Sequence, residues 1–173
     1  MKQGVVQYNF PTTIRFGVGA VKEVPSYLKS HKIKKPLVVT DPNVFELSFF
    51  KALLKDLEIA GLAYETFHHI DANPVENNVL EGGDVYAAAS CDSIIGIGGG
   101  AGLDVARAIA LRINNRRPLF DYDDLMGGDQ YVDGAIPHFI TIPTTSGTGS
   151  EVGRSAIISE NLTKKKRILF HPT

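Results

Sequence analysis

Three short apolar runs, separated by longer helical stretches, constrain the fold of this chain most strongly. They are PLVVT (36–40), SIIGI (93–97) and HFITIP (138–143), and each is continuous rather than alternating in polarity. Strands that are buried on both faces have this pattern, because helices cover both sides of a parallel sheet. We therefore predict an α/β fold with a mainly parallel sheet and helices on both faces.

The stretches between the apolar runs differ in helical character. Residues 43–61 predict one helix, and residues 102–113 predict a well-formed amphipathic helix with apolar residues at i, i+3 and i+4. Residues 75–90 predict a weaker helix, because Gly82 and Gly83 interrupt it. This alternation of strands and helices supports a series of βαβ units.

The remaining segments depart from that alternation. Residues 120–137 are rich in glycine and aspartate and predict a long surface loop. Residues 155–170 predict two strands joined by a polar turn, which is a late β-hairpin. An early strand around residues 13–17 is expected to be available for pairing with another chain, so we expect a homo-oligomer.

Composition excludes several classes of function. The 173 residues fit one domain, and a net charge of −1 argues against an electrostatic nucleic-acid binder. A single cysteine, Cys91, rules out an internal disulfide or a CxxC metal site and favours a reducing cytoplasm. We expect neither a membrane helix nor an export signal, because no apolar run approaches about 18 residues and the amino terminus lacks an apolar core.

Three consecutive glycines, Gly98 to Gly100, follow the second apolar run directly and precede a helix. Backbone amides without side chains, next to a helix N-terminus, suit a phosphate. A tight strand-to-helix turn without a ligand is the alternative. The segment GIGGGA (96–101) satisfies GxGxxA only by using Gly96 inside the strand, so a standard Rossmann motif is a poor match.

A second loop, IPTTSGTGSEV (142–152), follows the third apolar run and is crowded with hydroxyls and glycines. Its hydroxyls suit phosphate or ribose oxygens, although a solvent loop held by its own Ser/Thr turns has the same composition. Asp41 ends the first run. It suits the two hydroxyls of an adenosine ribose or, equally, the N-cap of the next helix. In a parallel sheet these three strand ends converge at one edge.

Five motifs in this order resemble the iron-containing (group III) alcohol dehydrogenase family, over nearly the whole chain. They are FGVGA (16–20), VVTDPNVF (38–45), ANPVENNV (72–79), CDSIIGIGGGAGLDVARAIA (91–110) and IPTTSGTGSEV (142–152). Glycerol dehydrogenases and dehydroquinate synthases share the fold and a GGG loop, but their second loops read differently.

The resemblance implies that residues 1–173 form a Rossmann-like NAD(P)-binding domain. Ala72 stands where the family has proline, and Ala101 where it has serine. Asp104 also suits a favourable charge in the first turn of a helix, and Lys166 a solvated charge run. The cofactor-binding residues implied by the family motifs are Asp41, Asn73, Pro74, Gly99, Gly100, Ala101, Gly102, Asp104, Thr144, Thr145, Thr148 and Lys166.

The family's helical metal-binding domain, with an aspartate and three histidines as ligands, is expected to be absent from this chain. His68 and His69 are adjacent and would point apart on a strand. The other histidines stand alone in the sequence: His31, His138 and His171. We expect no catalytic residue and no metal site here, and iron or zinc in the parent enzyme.

The expected function is the cofactor-binding half of a metal-dependent alcohol dehydrogenase. The parent would interconvert an alcohol with an aldehyde or ketone using NAD rather than NADP, and this chain alone would be inactive. The alternatives are a stand-alone nucleotide-binding module without catalysis, or a relative of the glycerol dehydrogenase or dehydroquinate synthase type.

Overall fold

The computed structural model describes residues 12–170 and contains a four-stranded parallel sheet with the order β2-β1-β3-β4. A separate two-stranded antiparallel sheet is formed by β5 and β6. The strands are β1 (Pro36–Val39), β2 (Glu65–Phe67), β3 (Ser93–Gly98), β4 (His138–Pro143), β5 (Ser155–Ser159) and β6 (Lys166–Phe170). The predicted α/β class, parallel sheet and late hairpin are confirmed.

Within residues 12–170, five α-helices and four short 3-10 helices accompany the strands. The α-helices are α1 (Val24–Ser30), α2 (Pro42–Phe45), α3 (Ser48–Ile59), α4 (Glu76–Ala88) and α5 (Gly100–Ile113). The 3-10 helices span Ala20–Glu23, Leu119–Tyr122, Asp124–Met126 and Gly128–Tyr131. Sequence patterns did not predict α1 or the three-residue strand β2.

Helices cover both faces of the sheet, as predicted. On one face, Leu37 of β1 and Ile94 of β3 pack in one apolar cluster with residues of α4 and α5. On the other face, Val38 and Ile95 pack in a second cluster with residues of α1 and α3. Successive residues of one strand therefore belong to opposite cores, which explains why the apolar runs are continuous.

The third apolar run differs from expectation because its strand lies at an edge. β1 and β3 are buried throughout, whereas β4 is half-buried along most of its length. Among the described strands, β4 has one neighbour, β3, so its outer side is open. A continuous apolar run reports the covering of two faces and carries no information about a missing lateral neighbour.

Both predicted early helices need correction. The helix expected over 43–61 is two helices, α2 and α3, with Leu47 as the N-cap of the second. The segment 75–90 forms one continuous helix, α4, despite its two glycines. Gly82 is buried there, and a Cβ built on it would overlap the side chain of Ile109 in α5 and lie 3.1 Å from Cδ1 of Phe67. The glycine allows α4 to pack closely, so it does not break the helix.

Residues 120–137 are not simply a surface loop. The 3-10 turns there bury Tyr122 and Asp123, each only 1% exposed. Arg167 of β6 forms an ion pair with Asp123 at 3.1 Å, so the hairpin covers this segment. The expected strand at 13–17 is absent: these residues form no strand and are exposed.

Candidate functional site

Three strand ends meet at the carboxyl edge of the parallel sheet. Thr40 and Asp41 follow β1, Gly99 follows β3, and Thr144 follows β4. The backbone N–H of Thr144 donates a hydrogen bond of 2.9 Å to the carbonyl of Gly98, which joins the second loop to the glycine loop. The structure therefore brings together the three segments that the sequence singled out.

The glycine loop and the second loop are in contact. A Cβ built on Gly99 would lie 3.7 Å from the Thr145 hydroxyl oxygen. On Gly100 it would lie 3.1 Å from Cγ2 of Thr148 and 3.5 Å from the hydroxyl oxygen of Ser150. A side chain at Gly100 would push against the second loop, so the glycine permits the two loops to lie in close contact.

The N-terminus of α5 lies where the two loops meet. Gly99 is the N-cap and supplies no side-chain hydrogen bond to the helix. The amides of Gly100, Ala101 and Gly102 in the first turn have no partner within the helix, as at any helix start. Together with the partial positive charge of a 14-residue helix, they form a site for an anion.

Gly102 has a different task, since it is buried against β1. A Cβ there would lie 3.5 Å from the carbonyl oxygen of Ile97 and 3.7 Å from the amide nitrogen of Asp41. The glycine lets α5 start close to the sheet, and this places the helix N-terminus beside Asp41.

Asp41 uses its carboxylate in two directions. One oxygen, Oδ1, accepts hydrogen bonds from the amides of Asn43 at 2.9 Å and Val44 at 3.0 Å, which caps α2. The other oxygen, Oδ2, lies 3.4 Å from the position of a Cβ built on Gly98. The N-cap role is therefore present, while the second oxygen borders the glycine loop.

The hairpin brings Asn73, Pro74 and Lys166 into one region. The amide of Ser159 donates to the carbonyl of Pro74 at 2.8 Å, and Ser159 is the antiparallel partner of Lys166. Asn73 and Lys166 are both exposed. Two candidate residues that are 93 positions apart in the sequence thus lie on neighbouring segments.

Asn78 holds the loop that carries Asn73 and Pro74, and the sequence analysis missed it. Its side chain is 6% exposed and accepts hydrogen bonds from the amides of Val75 at 3.0 Å and Asp71 at 3.4 Å. It also donates to the carbonyl of His69 and to the Asp71 carboxylate, each at 3.1 Å. The available sequence signal was that Asn78 lies three residues after Val75, the first residue of the helix predicted over 75–90.

Asp104 is buried in α5. Its Oδ2 accepts a hydrogen bond from the amide of Ile157 in β5 at 3.3 Å, and the Ser150 hydroxyl also bonds to it. Burial raises the pKa of this carboxyl, whereas these hydrogen bonds and the nearby Arg107 oppose the rise. The geometry connects α5 to the hairpin and to the second loop.

Arg107 fixes the far end of the second loop. Its guanidinium donates to the carbonyl of Ser150 at 2.6 Å and lies 5.1 Å from the ring centre of Phe139. The second loop is thus held at Thr144 and at Ser150, and its tip between them, which includes Thr145 and Thr148, is exposed. The hydroxyls of the tip are therefore presented to solvent on a loop that is tied at both ends.

The histidines do not form a metal site in the described part of the chain, where no three His, Cys, Asp or Glu side chains are grouped to hold an ion. His68 and His69 follow β2, and their rings do not point apart: they meet edge to face with centres 4.8 Å apart. His31 and His138 are not alone, because their ring centres lie 5.1 Å apart. His171 lies outside the described residues.

A parallel sheet with a glycine-rich loop and a helix N-terminus at its carboxyl edge is an open α/β domain, the architecture in which ligands bind outside the carboxyl ends of the strands. The family model for iron-containing alcohol dehydrogenases matches residues 11–173. The chain belongs to this family. Within residues 12–170, no helix is long and apolar enough to cross a membrane.

Individual relatives agree with that assignment. The chain is 32% identical to a choline dehydrogenase of Bacillus subtilis over 88% of its length, and 34% identical to an NAD-dependent methanol dehydrogenase of Bacillus methanolicus over 94%. It spans only 38% and 42% of those two proteins. The crystal structure of a 1,3-propanediol oxidoreductase superposes with a TM-score of 0.87 at 27% identity, covering 97% of this chain and 43% of that one.

Proposed function

We propose that this chain is the nicotinamide-cofactor-binding half of an alcohol dehydrogenase and that it binds NAD at the carboxyl edge of its sheet. The observation that carries the proposal is the contact between the glycine loop and the second loop. There, the N-terminus of α5 lies beside the hydroxyls of Thr145 and Ser150. The name of the NAD-dependent methanol dehydrogenase supports NAD as the cofactor.

The residues at the N-terminus of α5 and in the second loop, together with Asp41, fit the parts of a dinucleotide. The amides of Gly100, Ala101 and Gly102 would hold the pyrophosphate, and Oδ2 of Asp41 would accept from the adenosine ribose. Thr144, Thr145 and Thr148 would bond phosphate or ribose oxygens from the opposite side. Gly99 would keep the approach to the amides open, because a side chain there would extend toward Thr145 of the second loop.

The hairpin region would contact the other end of the cofactor. Asn73 and Pro74 lie on one segment and Lys166 on its neighbour, and a lysine can donate to ribose oxygens there. We propose that Asp104 acts by positioning the hairpin and Ser150, because its carboxylate is buried and bonded within the protein.

When bound, the nicotinamide supplies hydride transfer to or from a carbon that bears oxygen. The chain's own residues bind the cofactor, orient it and leave one face open. The described residues do not fit a catalytic metal, so we derive no step through one. The named relatives differ in substrate, and we propose only the class of alcohol and aldehyde or ketone for the parent enzyme.

Replacing Gly99 by valine tests the proposal. The backbone at Gly99 has φ −78° and ψ −171°, which valine adopts without strain, so the fold should remain. We expect calorimetric titration to show NAD binding to the unchanged chain and none to Gly99→Val. Gly83→Val is the matched control, because a Cβ at Gly83 meets nothing within 4 Å. Equal affinity in both variants would contradict the assignment of the phosphate loop.

We also propose that this chain alone does not turn over alcohols. Metal chemistry needs three or four converging ligands, and hydride transfer needs a site that excludes water. The purified chain should show neither stoichiometric iron or zinc by elemental analysis nor NADH-dependent reduction of aldehydes. Clear turnover, or one bound metal ion per chain, would place the active site within these residues.

A further inference from the structure

The tip of the second loop is confined by few contacts of its own. Residues 144–148 are exposed, and a Cβ built on Gly147 or Gly149 would meet nothing within 4 Å. Both glycines have positive φ, and an exposed loop with two glycines has many accessible backbone conformations. The conformation that presents Thr145 and Thr148 at the glycine loop therefore depends on how the two ends of the second loop are fixed.

Arg107 supplies the strongest bond at the far end of this loop. Its guanidinium donates to the carbonyl of Ser150 at 2.6 Å, and the Thr141 hydroxyl donates to the carbonyl of Glu151 at 3.1 Å. A hydrogen bond from a charged donor is about twice as strong as a neutral one. Removing the guanidinium should therefore release the main restraint at this end and leave the weaker one in place.

The guanidinium is itself fixed by contacts on α5 and β4. It lies 5.1 Å from the ring centre of Phe139, and the charge of Asp104, one turn earlier on the helix, favours its positive charge. The Asp104 carboxylate also bonds to the Ser150 hydroxyl. Two oppositely charged residues of one helix thus bond to the carbonyl and the hydroxyl of the same loop residue.

We propose that Arg107 is a positioning residue for cofactor binding, which holds the second loop in its binding conformation in the free chain. The inference rests on the proposed function, because it requires the loop hydroxyls to bond the dinucleotide. If only a fraction of the free molecules has the binding conformation, the apparent dissociation constant rises by the inverse of that fraction. Arg107 thus affects affinity through the backbone of Ser150.

Arg107→Met tests the proposal, because methionine keeps most of the packing of the long side chain and removes the donor and the charge. We expect calorimetric titration with NAD⁺ to show about tenfold weaker binding. Amide hydrogen exchange of residues 144–153 in the free variant should become faster, whereas exchange in β1 and β3 should not change. A general loss of stability would instead speed exchange in the strands as well.

Two further variants separate the hydrogen bond from other effects of the substitution. One hydrogen bond joins Arg107 to Ser150, and lysine can donate one, so Arg107→Lys should bind NAD⁺ within about threefold of the unchanged chain. If Arg107→Met is too unstable to purify, adding Asp104→Asn removes the buried charge left without its partner. The double variant should show the same loss of affinity of about tenfold.

Arg112→Met is the matched control. Arg112 is a partly buried residue of the same helix, and its guanidinium donates to the carbonyl of Asn115 at 2.7 Å. This bond has the same chemistry as that of Arg107, but it lies at the C-terminal end of α5. The control should lower the melting temperature and change NAD⁺ affinity by less than about twofold.

Four results would overturn the inference. Arg107→Met binding NAD⁺ as tightly as the unchanged chain would show that binding does not need this anchor. Unchanged exchange of residues 144–153 would show that other contacts fix the loop. Failure of Arg107→Lys to restore binding, or equal weakening by Arg112→Met, would assign the loss to shape or to the stability of α5. If the unchanged chain does not bind NAD⁺, the proposed function itself fails, and the inference fails with it.

Discussion

At the scale of single residues, the candidate site depends on side chains that serve the fold and the ligand together. Asp41 caps α2 with one oxygen and borders the glycine loop with the other. Asn78 uses its whole amide group to shape the loop before α4. Substitutions at such positions are informative only when the variant keeps one role and removes the other.

Asp41→Asn removes the charge and retains the cap, because asparagine is as good an N-cap as aspartate. A carboxylate at this place repels a 2′-phosphate, so we expect the unchanged chain to prefer NAD to NADP. The variant should narrow that preference about tenfold, equivalent to about 1.4 kcal/mol. Titration with both cofactors measures the ratio of affinities.

Asp129→Asn removes an exposed carboxylate from a distant 3-10 turn and should leave the ratio unchanged. Tighter binding of NADP than of NAD by the unchanged chain would mean that Asp41 serves only as a cap.

Asn78→Ala should lower the free energy of unfolding by about 1–3 kcal/mol, because it removes the buried amide that holds three backbone groups of the loop. It should also weaken NAD binding, since the loop carries Asn73 and Pro74. Urea denaturation measures the first effect. Glu81→Ala is the control: Glu81 is exposed on α4, and its substitution should change stability by less than about 0.5 kcal/mol. Equal effects of the two substitutions would contradict the anchoring role of Asn78.

At the scale of secondary-structure elements, apolar packing and buried polar contacts together attach the hairpin to the sheet domain: Ala156, Ile158 and Leu169 lie in the same apolar cluster as residues of α5. Asp104 of α5 accepts from the backbone of β5, and Asp123 pairs with Arg167 of β6. The strands β5 and β6 lie outside the parallel sheet, so these contacts, and no pairing with the parallel strands, position Lys166. The positions of the candidate residues on the hairpin thus depend on contacts made by α5.

Asp104→Asn should reveal the energetic effect of burying that carboxylate. Burial raises the pKa of Asp104, so the folded chain holds the proton more tightly than the unfolded chain does. Folding is therefore favoured by acid in the interval between the two pKa values, and this contribution is lost as pH rises through the folded pKa. Asparagine accepts the same hydrogen bond without a charge.

Relative to Asp104→Asn, the unchanged chain should gain free energy of unfolding as pH is lowered from 7 toward about 4. Denaturation at several pH values measures this difference. Asp84→Asn, which removes an exposed carboxylate from α4, corrects for the general effect of charge. A difference that grows with rising pH would show that Arg107 and the hydrogen bonds outweigh burial.

At the scale of the whole molecule, the open side of β4 stands out. Two cavities of about 420 and 240 Å³ flank this strand, and both include Phe139 and Thr141 in their lining. Neither is lined by the glycine loop. An edge strand with exposed backbone groups and apolar side chains favours association with other chains.

Ile140→Lys on β4 should therefore reduce self-association, because a charge on an edge strand opposes further pairing. Sedimentation velocity at increasing protein concentration measures the effect. Ile59→Lys is the control, since Ile59 is 75% exposed at the end of α3 and lies away from the edge. The prediction would be contradicted if the unchanged chain were monomeric at all concentrations. It would also be contradicted if the two substitutions changed self-association equally.

Local sequence determined the elements whose burial is uniform and the loops whose backbone is special. β1, β3 and α5 follow from apolar periodicity, because their neighbours on both faces leave a signal at each position. The glycine loop follows from three consecutive residues without side chains, since few other backbones require them. That the two loops and Asp41 lie at one edge of the sheet follows from the parallel direction of the strands alone.

Only the tertiary structure decided the features that depend on distant partners. The edge position of β4 reflects a missing lateral neighbour, and Gly82 of α4 is required by the close approach of Ile109 and Phe67. The buried contact of Asp104 depends on Ile157, more than 50 residues away. Local patterns report which face of a residue is covered, whereas packing of the chain decides which atom covers it and whether a polar group finds a partner.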